Sequence, residues 1–63
     1  MSRFGEMLAK YRENAQMTTA ELAGKSGIAE YNVIAFESSE RSPEIIELIA
    51  ISDALGIKST DLL

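Results

Sequence analysis

The side chains that could do chemistry in this chain are carboxylates and hydroxyls, because its 63 residues include no His and no Cys. Without Cys there is no disulfide, no thiolate nucleophile and no cysteine metal site, and without His the commonest general base and zinc ligand is missing. No two carboxylates are spaced to suggest a buried acid–base pair, and Ser38 and Ser39 have no neighbouring base that would activate a hydroxyl. We therefore expect a protein that is not an enzyme and that uses no metal ion and no small-molecule cofactor.

The charge balance is acidic, with six Lys and Arg residues against ten Asp and Glu residues, a net charge of −4 and a pI of about 4.6. Nucleic-acid-binding domains usually carry a basic patch, so this balance disfavours nucleic acid as a partner. The length allows one domain over residues 1–63. A chain of this size buries only ~60% of its unfolded surface, which leaves little room for a ligand-sized cavity.

The apolar runs are too short to cross a membrane. The longest, residues 33–36 and 48–51, fall far short of the ~20 residues that span a bilayer. No charged-then-apolar leader opens the sequence. We therefore expect a cytoplasmic protein without membrane association.

Apolar residues recur at helical spacing along the whole chain, and no period-2 run indicates a strand. The pattern predicts a compact all-α domain of five short helices. Their predicted bounds are residues 2–14, Thr18 to Gly27, Glu30 to about Glu37, Ser42 to Gly56, and one turn over residues 59–63. Thr18 and Glu21 fit a capping box, and Gly27 fits a left-handed C-cap.

The fourth helix is predicted to start with Ser42 as its N-cap and Pro43 at its first helical position. Its core-facing stripe is predicted to be Ile45, Leu48, Ile49, Ser52 and Leu55. Ile46 falls on the outer face of this helix, where it is either an ordinary exposed apolar residue or part of an interaction surface. A tilt of the helix would bury it instead.

The most informative spacing lies between Thr19 and Glu37. Ala23 is small enough to let two helices approach closely, and Gly27, four residues later, supports the positive φ of a tight turn. The apolar residues that would fill the angle between the two helices are Leu22, Ile28, Val33 and Phe36. This spacing predicts a helix-turn-helix over about residues 18–37, whose second helix can enter a DNA major groove.

At these positions the chain resembles the lambda-repressor/Cro-type helix-turn-helix family of small DNA-binding domains. The similar residues extend over essentially the whole sequence: Gly5, Glu6, Leu8, Arg12, Met17, Thr18, residues 21–23, Gly27, Ile28, Val33, Phe36, Glu37, Pro43, Ile45, Leu48, residues 54–56, Leu62 and Leu63. The resemblance implies a five-helix lambda-repressor-like fold. It also implies a repressor-like transcriptional regulator that binds double-stranded DNA as a homodimer on a palindromic operator.

The resemblance implies structural roles for five residues. Arg12 and Glu37 would form a semi-buried salt bridge that joins the first helix to the end of the third. Ile57, Leu62 and Leu63 would form the surface through which two copies associate. The Arg12–Glu37 salt bridge would fix the position of the third helix against the first, and it is weak evidence for net stability.

The resemblance also assigns an outward face that would contact DNA. Its residues are Thr19, Ala29, Glu30, Tyr31, Asn32, Ile34 and Ala35. Similar proteins usually carry polar or basic residues there, whereas this set is largely acidic, aromatic, aliphatic and small. Glu30 could still accept a hydrogen bond from cytosine N4, Asn32 could reach adenine, and an alanine could pack on a thymine methyl group.

Phosphate contacts are expected from Lys25, near the turn, and from Ser38 and Arg41, after the third helix. These residues supply two or three contacts at most, which suits modest affinity. A protein partner is the alternative, because Tyr31, Ile34 and Ala35 would form an apolar patch to which Ile46 adds a second exposed site. In that case the chain would be an antirepressor, a coregulator or an inhibitor with weak or no DNA binding.

Overall fold

The computed structural model describes residues 3–63, and over this range the chain forms four α-helices and a C-terminal 3-10 turn, with no strand. The helices are α1 (Arg3–Asn14), α2 (Thr19–Ser26), α3 (Glu30–Glu37) and α4 (Ile45–Leu55), and the 3-10 turn covers Ser59–Leu62. The predicted all-α fold is confirmed, while Ser2, the predicted start of the first helix, lies outside the described residues. No helix between residues 3 and 63 combines the length and apolar composition that a membrane crossing needs.

Both ends of α2 are set by the residues predicted from the sequence. Thr18 is the N-cap, with its Oγ1 accepting from Glu21 N–H at 3.0 Å and its own N–H donating to Glu21 Oε1 at 2.8 Å. Gly27 has a φ of 74°, and its N–H donates to the Ala23 carbonyl at 2.9 Å. The predicted capping box and left-handed C-cap are therefore confirmed, and they satisfy backbone groups that a helix end leaves unpaired.

The predicted start of α4 is wrong. The helix begins at Ile45 with Glu44 as its N-cap, so neither Ser42 nor Pro43 has the predicted role. The physical reason is the Glu47 carboxylate, whose Oε1 accepts from the Glu44 N–H at 2.9 Å and so satisfies a donor at the helix start.

The core lies where the helices converge, and its fully buried side chains are Leu8, Leu22, Val33, Phe36, Ile51 and Leu62. Phe4 packs edge-on against Phe36, with 6.0 Å between the ring centroids and 74° between the planes. α3 contacts both α1 and α2, while α4 contacts α2 and the 3-10 turn. The inner side of α3 is therefore held from two directions.

The predicted core stripe of α4 is wrong at two of its five positions. Ile45 and Ile49 are exposed, at 77% and 48%, whereas Ile51 is fully buried. Leu48, Ile51, Ser52 and Leu55 make the i, i+3, i+4, i+7 stripe that faces the core, and Ile49 lies ~100° around the helix from Leu48. Ser52 is accommodated because its Oγ lies 2.9 Å from Ser59 Oγ and 3.0 Å from two α4 carbonyls.

Two glycines differ in what surrounds them. A Cβ on Gly5 would lie 2.7 Å from the Phe36 carbonyl oxygen and 2.8 Å from that of Glu37, so α1 approaches the end of α3 too closely for any larger residue. A Cβ on Gly24 would meet nothing within 4 Å. Gly5 is therefore a packing requirement, whereas Gly24 is not.

Candidate functional site

α3 has one buried side and one exposed side. Val33 and Phe36 are fully buried, whereas Tyr31 and Ile34 are 73% and 49% exposed. Of the remaining residues of the predicted outward face, Ala29 and Glu30 are exposed, and Thr19, Asn32 and Ala35 are half-buried. We call the six residues Ala29, Glu30, Tyr31, Asn32, Ile34 and Ala35 the α3 face.

A semi-buried ion pair anchors the C-terminal end of α3. Arg12 Nε lies 2.6 Å from Glu37 Oε2 and Arg12 Nη2 lies 3.1 Å from Glu37 Oε1, with both side chains 14% exposed. Arg12 Nη1 also donates to the Met17 carbonyl at 2.8 Å. The hydrogen bond to Glu37 is the main reason that the pKa of Arg12 is raised. One guanidinium therefore joins α1, the loop after it and α3.

A second polar contact joins the N-terminal ends of α2 and α3. Thr19 Oγ1 donates to Glu30 Oε2 at 2.8 Å, which links the first residue of one helix to the first residue of the other. Ala29, the N-cap of α3, makes no side-chain capping bond. The sequence places Thr19 and Glu30 in the same helix-turn-helix. It does not predict this hydrogen bond, because the bond depends on side-chain rotamers.

Arg41, an expected phosphate contact, is already engaged within the chain. Its Nη1 and Nη2 lie 3.0 and 3.1 Å from the two carboxylate oxygens of Glu47, and its guanidinium carbon lies 4.9 Å from the centre of the Phe36 ring. The pKa of Glu47 is lowered, first by the hydrogen bond from the Glu44 N–H and then by the bond from Arg41. A separation of six residues across a loop is not a helical spacing, so the sequence gives no sign of this pair.

The other two expected phosphate contacts differ from each other. Ser38 Oγ lies 3.2 Å from the Ala35 carbonyl and 3.1 Å from Glu40 Oε1, so its hydroxyl hydrogen has acceptors within the chain. Lys25 is exposed on α2 and forms no ion pair with any residue between 3 and 63. Lys25 is therefore the expected contact whose charge is available to a partner.

The residues expected to mediate self-association are only partly exposed. Leu63 is exposed, but Ile57 packs against the core and Leu62 is fully buried, so the Leu62 side chain closes the core and has no surface to offer a partner. More apolar surface is exposed on α4, where Ile46 is 75% exposed beside Ile45 and Ile49. We call these three residues the α4 isoleucine patch, of which only Ile46 is expected at the surface from the sequence.

Comparisons with known proteins agree on the architecture. A helix-turn-helix family model matches residues 8–63. Among solved structures, the crystal structure of the restriction-modification controller protein C.AhdI from Aeromonas hydrophila is similar, with a TM-score of 0.94 and 24% sequence identity. The similarity covers 97% of this chain and 92% of that one, and it shows a shared fold. The comparison with curated proteins gives no match.

Proposed function

Because the chain belongs to the Cro-type helix-turn-helix family, we propose that it is a repressor-like DNA-binding regulator of transcription that acts as a homodimer on a palindromic operator. The observation that carries this proposal is the α3 face, four of whose six residues are exposed while Val33 and Phe36 hold the helix from behind. In helix-turn-helix proteins the second helix lies in the major groove and its N-terminal residues contact base edges. The name of C.AhdI, a restriction-modification controller, is consistent with a regulatory role for this fold.

The net charge of −4 limits how strongly such a protein can bind DNA. Affinity for DNA comes largely from Lys and Arg contacts to phosphate, and each contact changes log K by about −0.9 per decade of salt. Arg41 is paired with Glu47, which leaves Lys25 as the phosphate contact that we propose. A dimer doubles the number of such contacts, so we expect modest affinity that is strongest at low salt.

A titration with DNA tests the proposal directly. We expect a random-sequence duplex at low salt to shift the backbone amide resonances of residues 30–38 in a saturable way, and to shift those of the 3-10 turn much less. Selection from a randomised duplex library then finds the operator. Resonances of residues 30–38 that stay unmoved at millimolar DNA would show that the chain is not a DNA-binding protein.

The assignment of Lys25 has a matched control in the same chain. Lys25→Ala should reduce the salt slope of binding by about one unit per protomer. Lys10→Ala removes the same charge from an exposed site on α1 and should leave the slope nearly unchanged. Arg41→Ala should also change the slope little, because Glu47 already neutralises that guanidinium. If Arg41→Ala lowers the slope more than Lys25→Ala does, Arg41 leaves Glu47 to bind phosphate.

For the homodimer, we propose that two copies meet through the α4 isoleucine patch. An interface with twofold symmetry places the same patch against itself, and the three isoleucines carry no charge that would repel its copy. Ile46→Asp should therefore shift the sedimentation equilibrium towards monomer. Ile34→Asp adds the same charge on the α3 face, and it should leave the dimer intact while weakening DNA binding. Dimers that persist in Ile46→Asp would contradict this surface.

One observation favours a protein partner as the second candidate function. Tyr31 and Ile34 expose apolar surface in the middle of the α3 face, and the nearby Glu30 is acidic. A protein partner would bind this surface with weak salt dependence, whereas DNA would bind with a steep negative slope. Measuring affinity at two salt concentrations therefore distinguishes the two candidates once a ligand has been found.

A further inference from the structure

The carboxylate of Glu30 accepts a hydrogen bond from Thr19 at the exposed start of α3. Its Oε2 accepts the Thr19 hydroxyl at 2.8 Å, and its Oε1 has no hydrogen-bond partner among residues 3–63. The bond lies at the surface, with Glu30 exposed and Thr19 half-buried. Oε1 of Glu30 is therefore available to a partner, and the bond to Thr19 restricts the rotamers of the Glu30 side chain.

An ionised carboxylate can only accept hydrogen bonds. The major groove presents two exocyclic amino donors, cytosine N4 and adenine N6. Beside its N6, adenine carries the acceptor N7, which would repel a carboxylate, whereas cytosine has no acceptor on that edge. A carboxylate at the start of a recognition helix therefore selects cytosine over the other three bases.

We propose that Glu30 is a specificity-determining residue that reads a cytosine in each half of the operator, and that Thr19 is the positioning residue that aims it. This inference rests on the DNA-binding function proposed above. In this arrangement the Thr19 hydroxyl gives its hydrogen to Glu30 and not to a phosphate. The carboxylate adds selectivity and lowers general affinity, since it repels the phosphate backbone.

The main experiment replaces the carboxylate by an amide. Glu30→Gln keeps an acceptor for Thr19 and adds a donor, and glutamine pairs with N6 and N7 of adenine. In selections from a library with randomised half-sites, we expect the wild type to prefer cytosine at one position by about tenfold. We expect Glu30→Gln to prefer adenine at that same position and to bind random duplex more tightly.

Glu40→Gln is the matched control for charge. Glu40 also accepts a bond from a hydroxyl, that of Ser38 at 3.1 Å, but it lies in the loop after α3. This variant should bind random duplex more tightly, as Glu30→Gln does, and should keep the wild-type base preferences. A change of preference in both variants would mean that net charge alone sets the selectivity, and it would overturn the role of Glu30.

Thr19→Val tests the positioning role, because valine has nearly the shape of threonine without its hydroxyl. We expect the ratio of affinities for half-sites with and without cytosine at that position to fall several-fold. Thermal unfolding of each variant shows whether the fold is retained. If the cytosine preference is unchanged in Thr19→Val, Thr19 is not a positioning residue.

The outcomes separate this inference from the proposed function. If the wild type and Glu30→Gln select the same bases at every position, the reading of cytosine by Glu30 is wrong while DNA binding stands. If the wild type binds no duplex at low salt, the proposed function itself is wrong.

Discussion

Two arginines flank the C-terminal end of α3, and each forms an ion pair with a glutamate. Arg12 pairs with Glu37 across 25 residues, with both side chains 14% exposed, and it also bonds the loop after α1. Arg41 pairs with Glu47 only six residues away, is 38% exposed and lies over the Phe36 ring. The first pair joins distant segments and sets the position of α3, whereas the second closes one loop.

The two ion pairs also differ in what they mean for the binding of a partner. The Arg12 pair holds α3 against α1 but uses no group on the α3 face. The Arg41 pair engages one of the expected phosphate contacts, whereas Arg12 is not among them. Equal chemistry at the two sites therefore has different consequences, one for the geometry of α3 and one for the charge available to a partner.

The largest effect is expected from breaking the Arg12 pair. Arg12→Ala leaves the Glu37 carboxylate semi-buried without its partner, so we expect unfolding free energy to fall by roughly 3 kcal/mol. Urea denaturation at neutral pH measures this loss. The double variant Arg12→Met with Glu37→Leu replaces both charges by apolar groups and should recover much of the stability. A loss below 1 kcal/mol in Arg12→Ala would place this pair in the same class as Arg41–Glu47.

Gly5→Ala tests the same junction by steric means. The added Cβ would lie 2.7 Å from a backbone carbonyl that cannot easily move, so we expect a loss of roughly 2 kcal/mol. Gly24→Ala is the control, since its Cβ meets nothing, and it should gain up to about 1 kcal/mol. Denaturation curves that shift in the same direction for both variants would contradict the close approach of α1 to α3.

Arg41→Ala is expected to have a smaller effect, a loss of about 1 kcal/mol, because a partly exposed ion pair and a cation–π contact each contribute little. Arg41→Met keeps apolar cover over Phe36 without the charge and separates the two contributions. The same urea experiment serves here. If Arg41→Ala costs as much as Arg12→Ala, the two pairs do not differ in the way described.

The smallest effect is a pH dependence at Glu47, the partner of Arg41. Because the pKa of Glu47 is lowered in the folded chain, its stabilisation is present above the unfolded pKa of about 4.5 and is lost as pH falls through the folded pKa. The raised pKa of Arg12 keeps that group charged throughout this range. Glu47→Gln should flatten the fall in thermal midpoint below about pH 4.5. If the thermal midpoint of that variant falls with pH as steeply as in the wild type, Glu47 does not cause this pH dependence.

Much of the fold follows from local patterns, whereas two features of α4 do not. The caps at Thr18 and Gly27 could be predicted because they depend on nearby residues only. The start of α4 could not, because Ser42 and Pro43 are a good local signal that a carboxylate at Glu47 overrides. The rotation of α4, which exposes Ile45 and Ile49, depends on which helices surround it.

The candidate site was less predictable than the fold. The exposed side of α3 follows from its helical period, and the Arg12–Glu37 pair follows from the family resemblance. The bonds of Glu30 and Arg41 depend on rotamers of surface side chains, about which residue spacing says little. The requirement for Gly5 is tertiary, since only the approach of α1 to α3 creates it.

The division of α3 into a buried side and an exposed side has an evolutionary consequence. Val33 and Phe36 carry the packing, while Tyr31 and Ile34 are exposed, so mutations on the exposed side leave the core untouched. Such a helix can drift or be selected towards new partners without passing through unfolded intermediates. This chain and C.AhdI have the same fold at 24% sequence identity, so two very different sequences can form one scaffold.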